Sequence, residues 1–301
     1  DLNIHLTRDI TAAGTRDFDS DTTSIASRIA RGRIENGRRY QAFKENVYWS
    51  PSDEQQFEAF ELGDVADQFP NATVRGVDLF PPPINWVPPN CLFEVDDVQK
   101  PWTWKEPFDL IHIRQLLGSF TPDEWRDLYQ QCFENLVPGG WIEQMEFDVR
   151  VRSDDASLPP NSVLAGWGET FISCAARAGR PLTTQETMRA SIESVGFVDV
   201  HERLYKVPLG PWPKDQLLKE VGLLNLEHWK AGLEGNAMWL LTKFGAPHPW
   251  TKDEVELYLM EARKDLKNSH IHGYGYARRV WARKPRDDHM VQTNIKLEPS
   301  P

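Results

Sequence analysis

Three carboxylates sit where alternating strands and helices would make use of them. Asp78 closes Thr73-Val74-Arg75-Gly76-Val77-Asp78, and Asp96 and Asp97 follow Cys91-Leu92-Phe93-Glu94-Val95. Open parallel sheets bind ligands beyond the carboxyl ends of their strands. One carboxylate there can accept from both hydroxyls of a ribose, and another from an adenine amino group. The edge therefore suits an adenosine-containing ligand; solvated strand-end acids are the plainer alternative. A third apolar run, residues 108–114, puts His112 and Arg114 on one face, because strand side chains alternate. An imidazole exchanges protons near neutral pH, and a guanidinium can hold a carboxylate or pair with Glu143 or Glu146. Those two glutamates differ by three positions, so a regular strand sends them to opposite faces and at most one reaches a common pocket. His270 and His272 would share a face if extended, but no third ligand is evident and no metal site is expected. Trp102 and Trp104 read as a lid or as packing over the loop after Asp97, with packing favoured.

The elements that must carry these groups alternate. Strands are expected at 73–79, 91–95, 108–114 and 141–149, the last after a turn at Pro138-Gly139-Gly140. Thr121-Pro122-Asp123-Glu124 is a helix start, with Thr as cap, Pro at the first position and Glu at the third. Further helices are expected at 161–178, 185–195, 214–244 and 252–268, with strands at 197–207 and 272–283. This rhythm predicts a doubly wound parallel α/β sheet. Before it, residues 22–46 suggest one or two amphipathic helices broken near Gly32 or Gly37, with an arginine-rich face that a partner could use. Ser52-Asp53-Glu54-Gln55 suggests another helix start. The expected organisation is a disordered arm at 1–21, one domain over 22–285 with a helical insertion at about 208–268, and a disordered tail at 286–301.

Composition narrows the class. Hydrophobic residues at 40% and charged residues at 26% suit a soluble globular protein. A net charge of −11 argues against direct nucleic-acid binding. No apolar run approaches the roughly 18–20 residues that span a bilayer, so no membrane partner is expected. The three cysteines, Cys91, Cys132 and Cys174, are too widely spaced for a disulfide framework and fit a reducing, cytoplasmic or nuclear setting.

Four segments in order carry a resemblance: Val74-Arg75-Gly76-Val77-Asp78-Leu79, Glu94-Val95-Asp96-Asp97-Val98, Phe108-Asp109-Leu110-Ile111-His112-Ile113-Arg114 and Leu136-Val137-Pro138-Gly139-Gly140-Trp141-Ile142-Glu143. Together they resemble class I S-adenosylmethionine-dependent methyltransferases, and more narrowly the fungal LaeA-like (TAM-domain) group. Glu35-Asn36-Gly37-Arg38-Arg39-Tyr40 and Trp281-Ala282-Arg283-Lys284-Pro285 are similar to that group's opening and last strand. The resemblance implies a Rossmann-like sheet with added helices, and S-adenosyl-L-methionine as cofactor. It implies Asp78 and Leu79 at the ribose, Asp97 and Val98 at the adenine with Asp96 nearby, and His112 and Arg114 where the methionine end meets the acceptor. His112 is then the best-typed base. The implied function is methyl transfer to a small-molecule hydroxyl or carboxylate in fungal secondary metabolism. The alternative is an inactive, methyltransferase-like regulatory protein with a protein partner.

One departure from the pattern bears on activity. Glu61-Leu62-Gly63 runs directly into Asp64-Val65-Ala66-Asp67-Gln68-Phe69-Pro70, which reads as the end of a helix. The family's first strand and glycine-rich loop should precede that helix, and would occupy roughly 25–35 residues. Their absence removes the backbone amides and helix N-terminus that face the methionine carboxylate, and leaves neighbouring strands short of a partner. A defective gene model or splice form, a diverged pseudoenzyme, and a segment dropped from the chain all account for it.

Overall fold

A computed structural model describes residues 33–35, 38–40, 63–79 and 88–286. The expected helix from Ser52 and both terminal arms lie outside the described residues. The chain divides into two compact units. One comprises the described part of 1–100 together with 227–255, and the other 101–226 together with 256–301.

In the first unit, strands β1 (Arg33–Glu35) and β2 (Arg38–Tyr40) pair antiparallel. This corrects the helical expectation at 33–35 and 38–40; the rest of 22–46 lies outside the described residues. Glu35 pairs with Arg38, leaving two residues between the strands, and Asn36-Gly37 is the strongest short hairpin signal. Helix α1 (Gly63–Gln68) leads to β3 (Val74–Asp78), which pairs parallel with β4 (Cys91–Val95) from Val74↔Cys91 to Asp78↔Val95. The Asn90 side-chain amide donates to the carbonyls of Ala66 (2.9 Å), Phe69 (3.1 Å) and Ala72 (2.9 Å). One amide thereby ties the end of α1, the following turn and the entry to β3.

The second unit contains β5 (Phe108–Arg114), α2 (Pro122–Glu134), β6 (Leu136–Phe147), α3 (Val163–Arg177), α4 (Thr184–Ser194), β7 (Val198–Pro208) and β8 (Tyr274–Arg283). Helices α5 (Gln216–Phe244) and α6 (Lys252–Lys267) lie between β7 and β8 in sequence. The sheet order is β5-β6-β8-β7, with β5 parallel to β6, and β8 antiparallel to both neighbours. The sheets are therefore mixed rather than wholly parallel, because the last strand enters from the opposite end after the two long helices. Thr121 caps α2 as expected: its hydroxyl accepts from the Glu124 amide at 3.3 Å, and the Glu124 carboxylate accepts from the Thr121 amide at 2.8 Å. Trp125, Leu128, Tyr129 and Cys132 recur at helical spacing and are all buried.

Pro138-Gly139-Gly140 is not the turn that the sequence suggested. Strand β6 already begins at Leu136, and the three residues form an irregularity within it, between Phe108↔Leu136 and Leu110↔Trp141. Gly139 adopts φ +86°, and a Cβ on Gly140 would lie 3.0 Å from the Val137 carbonyl and 3.1 Å from that of Asp109. Only glycines fit both demands. Beyond this point, residues 142, 144 and 146 turn to the helical side, where all three are fully buried.

The buried polar side chains there form a chain. The Tyr129 hydroxyl donates to Gln144 Oε1 at 2.7 Å, and Gln144 Nε2 donates to Glu146 Oε1 at 3.2 Å. Tyr129→Phe would leave Gln144 Oε1 without its donor inside the core. A loss of about 1–3 kcal/mol is expected, read as a lower urea midpoint with unchanged slope.

Candidate functional site

The first unit assembles the strand-end acids as the sequence suggested. Asp78 and Val95 are register partners, and the Asp96 amide donates to the Asp78 carbonyl at 3.0 Å. Asp96 Oδ1 accepts from the Asp97 amide at 2.7 Å, and Asp97 Oδ1 accepts from the Gln99 amide at 3.1 Å. Asp97 is buried whereas Asp78 is exposed; Leu79 and Val98 flank them. The edge thus presents an exposed carboxylate beside a buried one. Arg75 and Glu94, on the same two strands, form an ion pair.

The second unit holds His112 and Arg114 on one face of β5. His112 is opposite Glu143 in the register, and its Nδ1 lies 3.1 Å from Glu143 Oε1. The other carboxylate oxygen pairs with Arg279 on β8. Burial pushes the Glu143 carboxyl up, but the hydrogen bonds from His112 and Arg279 outweigh it and hold the group below its ordinary range. The hydrogen bond that Arg279 donates to Glu143 in turn holds Arg279 above its ordinary value. The carboxylate can accept from Nδ1–H, which leaves Nε2 as the ring nitrogen that does not engage Glu143. Arg114, exposed and opposite Met145, pairs with neither Glu143 nor Glu146. Arg279 takes the place in this pairing that the sequence offered to Arg114. It comes from a strand more than a hundred residues away, so spacing carried no signal for it.

Glu146 goes to the opposite face, as the three-residue spacing required. Its Oε1 also accepts from the Leu116 amide at 3.1 Å, and its Oε2 is buried without a hydrogen-bond partner. Burial pushes this carboxyl up to about 7, against the lowering effect of its hydrogen bonds to Gln144, Leu116 and Leu117.

Trp102 and Trp104 pack edge-on against each other (5.0 Å) and against Phe108, supporting the packing role. His272 bonds to Asp155 at 2.5 Å, and no group of metal-ligating residues occurs among the described residues. Cys91, Cys132 and Cys174 are free and buried. No described helix is long and apolar enough to cross a membrane.

The two parallel pairs stay separate. Among the described residues β3 pairs only with β4, and β5 pairs only with β6. Apolar side chains on these strands remain open: Leu92 is 42% exposed, Val95 47% and Leu110 49%.

Glu146 gives a signed prediction. A carboxyl whose folded value is raised favours the native state while protonated. That contribution is complete below about pH 4.5 and is lost as pH rises through about 7. Stability should therefore fall by up to about 3 kcal/mol between roughly pH 5 and 8. Glu146→Gln should flatten the dependence in denaturant titrations across that window.

Comparison with known proteins places this architecture. A family model described as a methyltransferase domain matches residues 60–202. The chain is 30% identical to methyltransferase pytC of Aspergillus terreus over 297 residues, covering 86% of this chain and 90% of that protein. It is 30% identical to the secondary metabolism regulator LAE1 of Cochliobolus heterostrophus over 296 residues, covering 84% and 95%. It is 32% identical to the probable methyltransferase tdiE of Emericella nidulans over 222 residues, covering 73% and 68%. The pytC alignment spans 297 residues, whereas 86% of 301 is about 259, so about 38 of its positions face no residue of this chain. For tdiE, 73% of 301 is about 220 against 222 aligned, which leaves almost no such excess. At this identity over most of both chains, these relatives show that the chain belongs to the methyltransferase-domain family, in its LaeA-like fungal group.

Proposed function

We propose that the chain is built for S-adenosylmethionine-dependent methyl transfer to a small-molecule hydroxyl or carboxylate in fungal secondary metabolism, with cofactor capture impaired by loss of the first strand and glycine loop. The observation that carries the transfer reading is the His112–Glu143–Arg279 pairing across β5, β6 and β8. It orients an imidazole through its Nδ1, beside an exposed arginine on the same face, Arg114.

The cofactor's two ends fare differently. Asp78 and Leu79 would hold the ribose, and Asp97 and Val98 the adenine, with Asp96 orienting Asp97 through its amide. These residues fit an adenosine moiety. The amino-acid end is poorly served: helix α1 has six residues and no glycine-rich turn stands in the sequence before it. The roughly 38 aligned positions that pytC has and this chain lacks are enough to hold a strand, loop and helix start of roughly 25–35 residues.

When bound, S-adenosylmethionine supplies an electrophilic methyl group on a sulfonium. The chain's residues supply alignment, which can be worth about 7–11 kcal/mol of barrier, and a place for the proton. A hydroxyl acceptor gives its proton to His112 Nε2, and Glu143 stabilises the resulting imidazolium while Arg279 holds the carboxylate in position. A carboxylate acceptor needs no base and would be held by Arg114.

A second reading rests on the exposed Leu92, Val95 and Leu110. Open apolar strand residues are what a protein-binding relative without catalysis would present, so a regulatory, partner-binding role is the alternative.

The test uses a chain with the pytC-like segment restored after Gly63, compared with the same chain carrying His112→Ala. The substitution should lower the rate of hydroxyl methylation by roughly 10²–10⁴ and abolish the rise of rate with pH, with S-adenosylmethionine affinity unchanged. Full activity in the variant would exclude His112 as the base. A restored chain that binds cofactor but methylates no hydroxyl or carboxylate acceptor would favour the regulatory reading.

A further inference from the structure

Away from the His112 face, the helical side of the second unit carries a polar cleft of about 200 Å³. It is lined by Asp148, Arg152, Gln185, Glu186, Leu204, Tyr276 and Arg278. Its volume is well above the roughly 10–15 Å³ that one water requires.

Two features mark it as a built site. Gln185 is 3% exposed, yet neither its amide nitrogen nor its amide oxygen has a hydrogen-bond partner. Arg278 Nε, in the same lining, is also buried without a partner. Leaving a donor or acceptor buried and unmet costs about 1–3 kcal/mol, and three such atoms around one cleft suggest that a ligand meets them. Helix α4 also opens here, and its cap residue Thr183 makes no side-chain capping bond.

The charges define the ligand's chemistry. The lining holds two cations, Arg152 and Arg278, and two anions, Asp148 and Glu186. Each is already compensated: Arg152 by Asp148 at 2.7 Å, Glu186 by Arg150 at 2.9 Å, and Arg278 by Glu202. A ligand of net charge would upset this balance, whereas a zwitterion would not. The unmet groups comprise two donors, Gln185 Nε2 and Arg278 Nε, and one acceptor, Gln185 Oε1. They suit a carboxylate with an adjacent N–H donor, and Asp148 and Glu186 suit an ammonium.

We infer that this cleft binds a small α-amino-acid zwitterion, with its carboxylate on Arg278 and Gln185 and its ammonium toward the acids. The site is independent of the methyl-transfer reading and uses none of its residues.

The experiment is calorimetric titration of the full chain with the neutral L-amino acids, with propionate and propylamine as single-charge controls. Saturable binding of at least one amino acid is expected, with both controls at least about tenfold weaker. Gln185→Leu should weaken that binding about tenfold or more while leaving the melting temperature unchanged or higher. Arg278→Lys keeps a cation for Glu202 but loses the planar Nε–H, and should also weaken binding; it decides the matter if the leucine variant does not fold. Absence of saturable binding by every amino acid, equal binding of propionate, or undiminished affinity in the folded variants would each overturn the assignment.

Discussion

Strand pairing is the constraint on which the rest of the molecule depends. A parallel strand inside a sheet needs hydrogen-bonding partners on both edges, because buried backbone groups left unmet are costly. Here β3 and β5 each have one strand partner among the described residues, and the parallel strands fall into two sheets. The chain also divides into two compact units, with the strand-end carboxylates in one and the histidine face in the other. On the proposed loss of the family's first strand, one absent strand would account for the open apolar residues on β4 and β5.

The second unit is internally consistent without that strand. Its helical face is fixed by the Tyr129–Gln144–Glu146 chain and by apolar packing of α2. Its other face is organised by Glu143, which joins β5 to β8 through His112 and Arg279. The alternation of β6 sends one glutamate into each environment. One is held ionised by cations, and the other is driven toward the neutral form by burial. The same short segment thus supplies both a charged orienting group and a buried titrating one.

Most elements were legible because their signals are local. Capping by Thr121, the stop at Gly196 and the alternation through Phe108–Arg114 need only neighbouring residues. The strand-end position of Asp78, Asp96 and Asp97 followed from the same short runs. What escaped depended on distant partners or competing local choices. The pattern over 22–46 suggests helices broken near Gly32 or Gly37, although Asn36-Gly37 between Arg33–Glu35 and Arg38–Tyr40 is a hairpin signal. Pro138-Gly139-Gly140 looked like a turn, but pairing with β5 draws it into the strand as an irregularity. Arg279 and the unmet amide of Gln185 could be recognised only once β8 and α4 were in place.

The central proposal is that this chain keeps residues able to hold an adenosine and lacks the cradle for the cofactor's amino-acid end. Comparing the affinities of adenosine and S-adenosylmethionine for the purified chain by calorimetry tests it most directly. The account predicts weak binding of both, with the cofactor no more than about threefold tighter than adenosine. Binding of S-adenosylmethionine tens of times tighter than adenosine would show that the cradle is present, and would contradict the account.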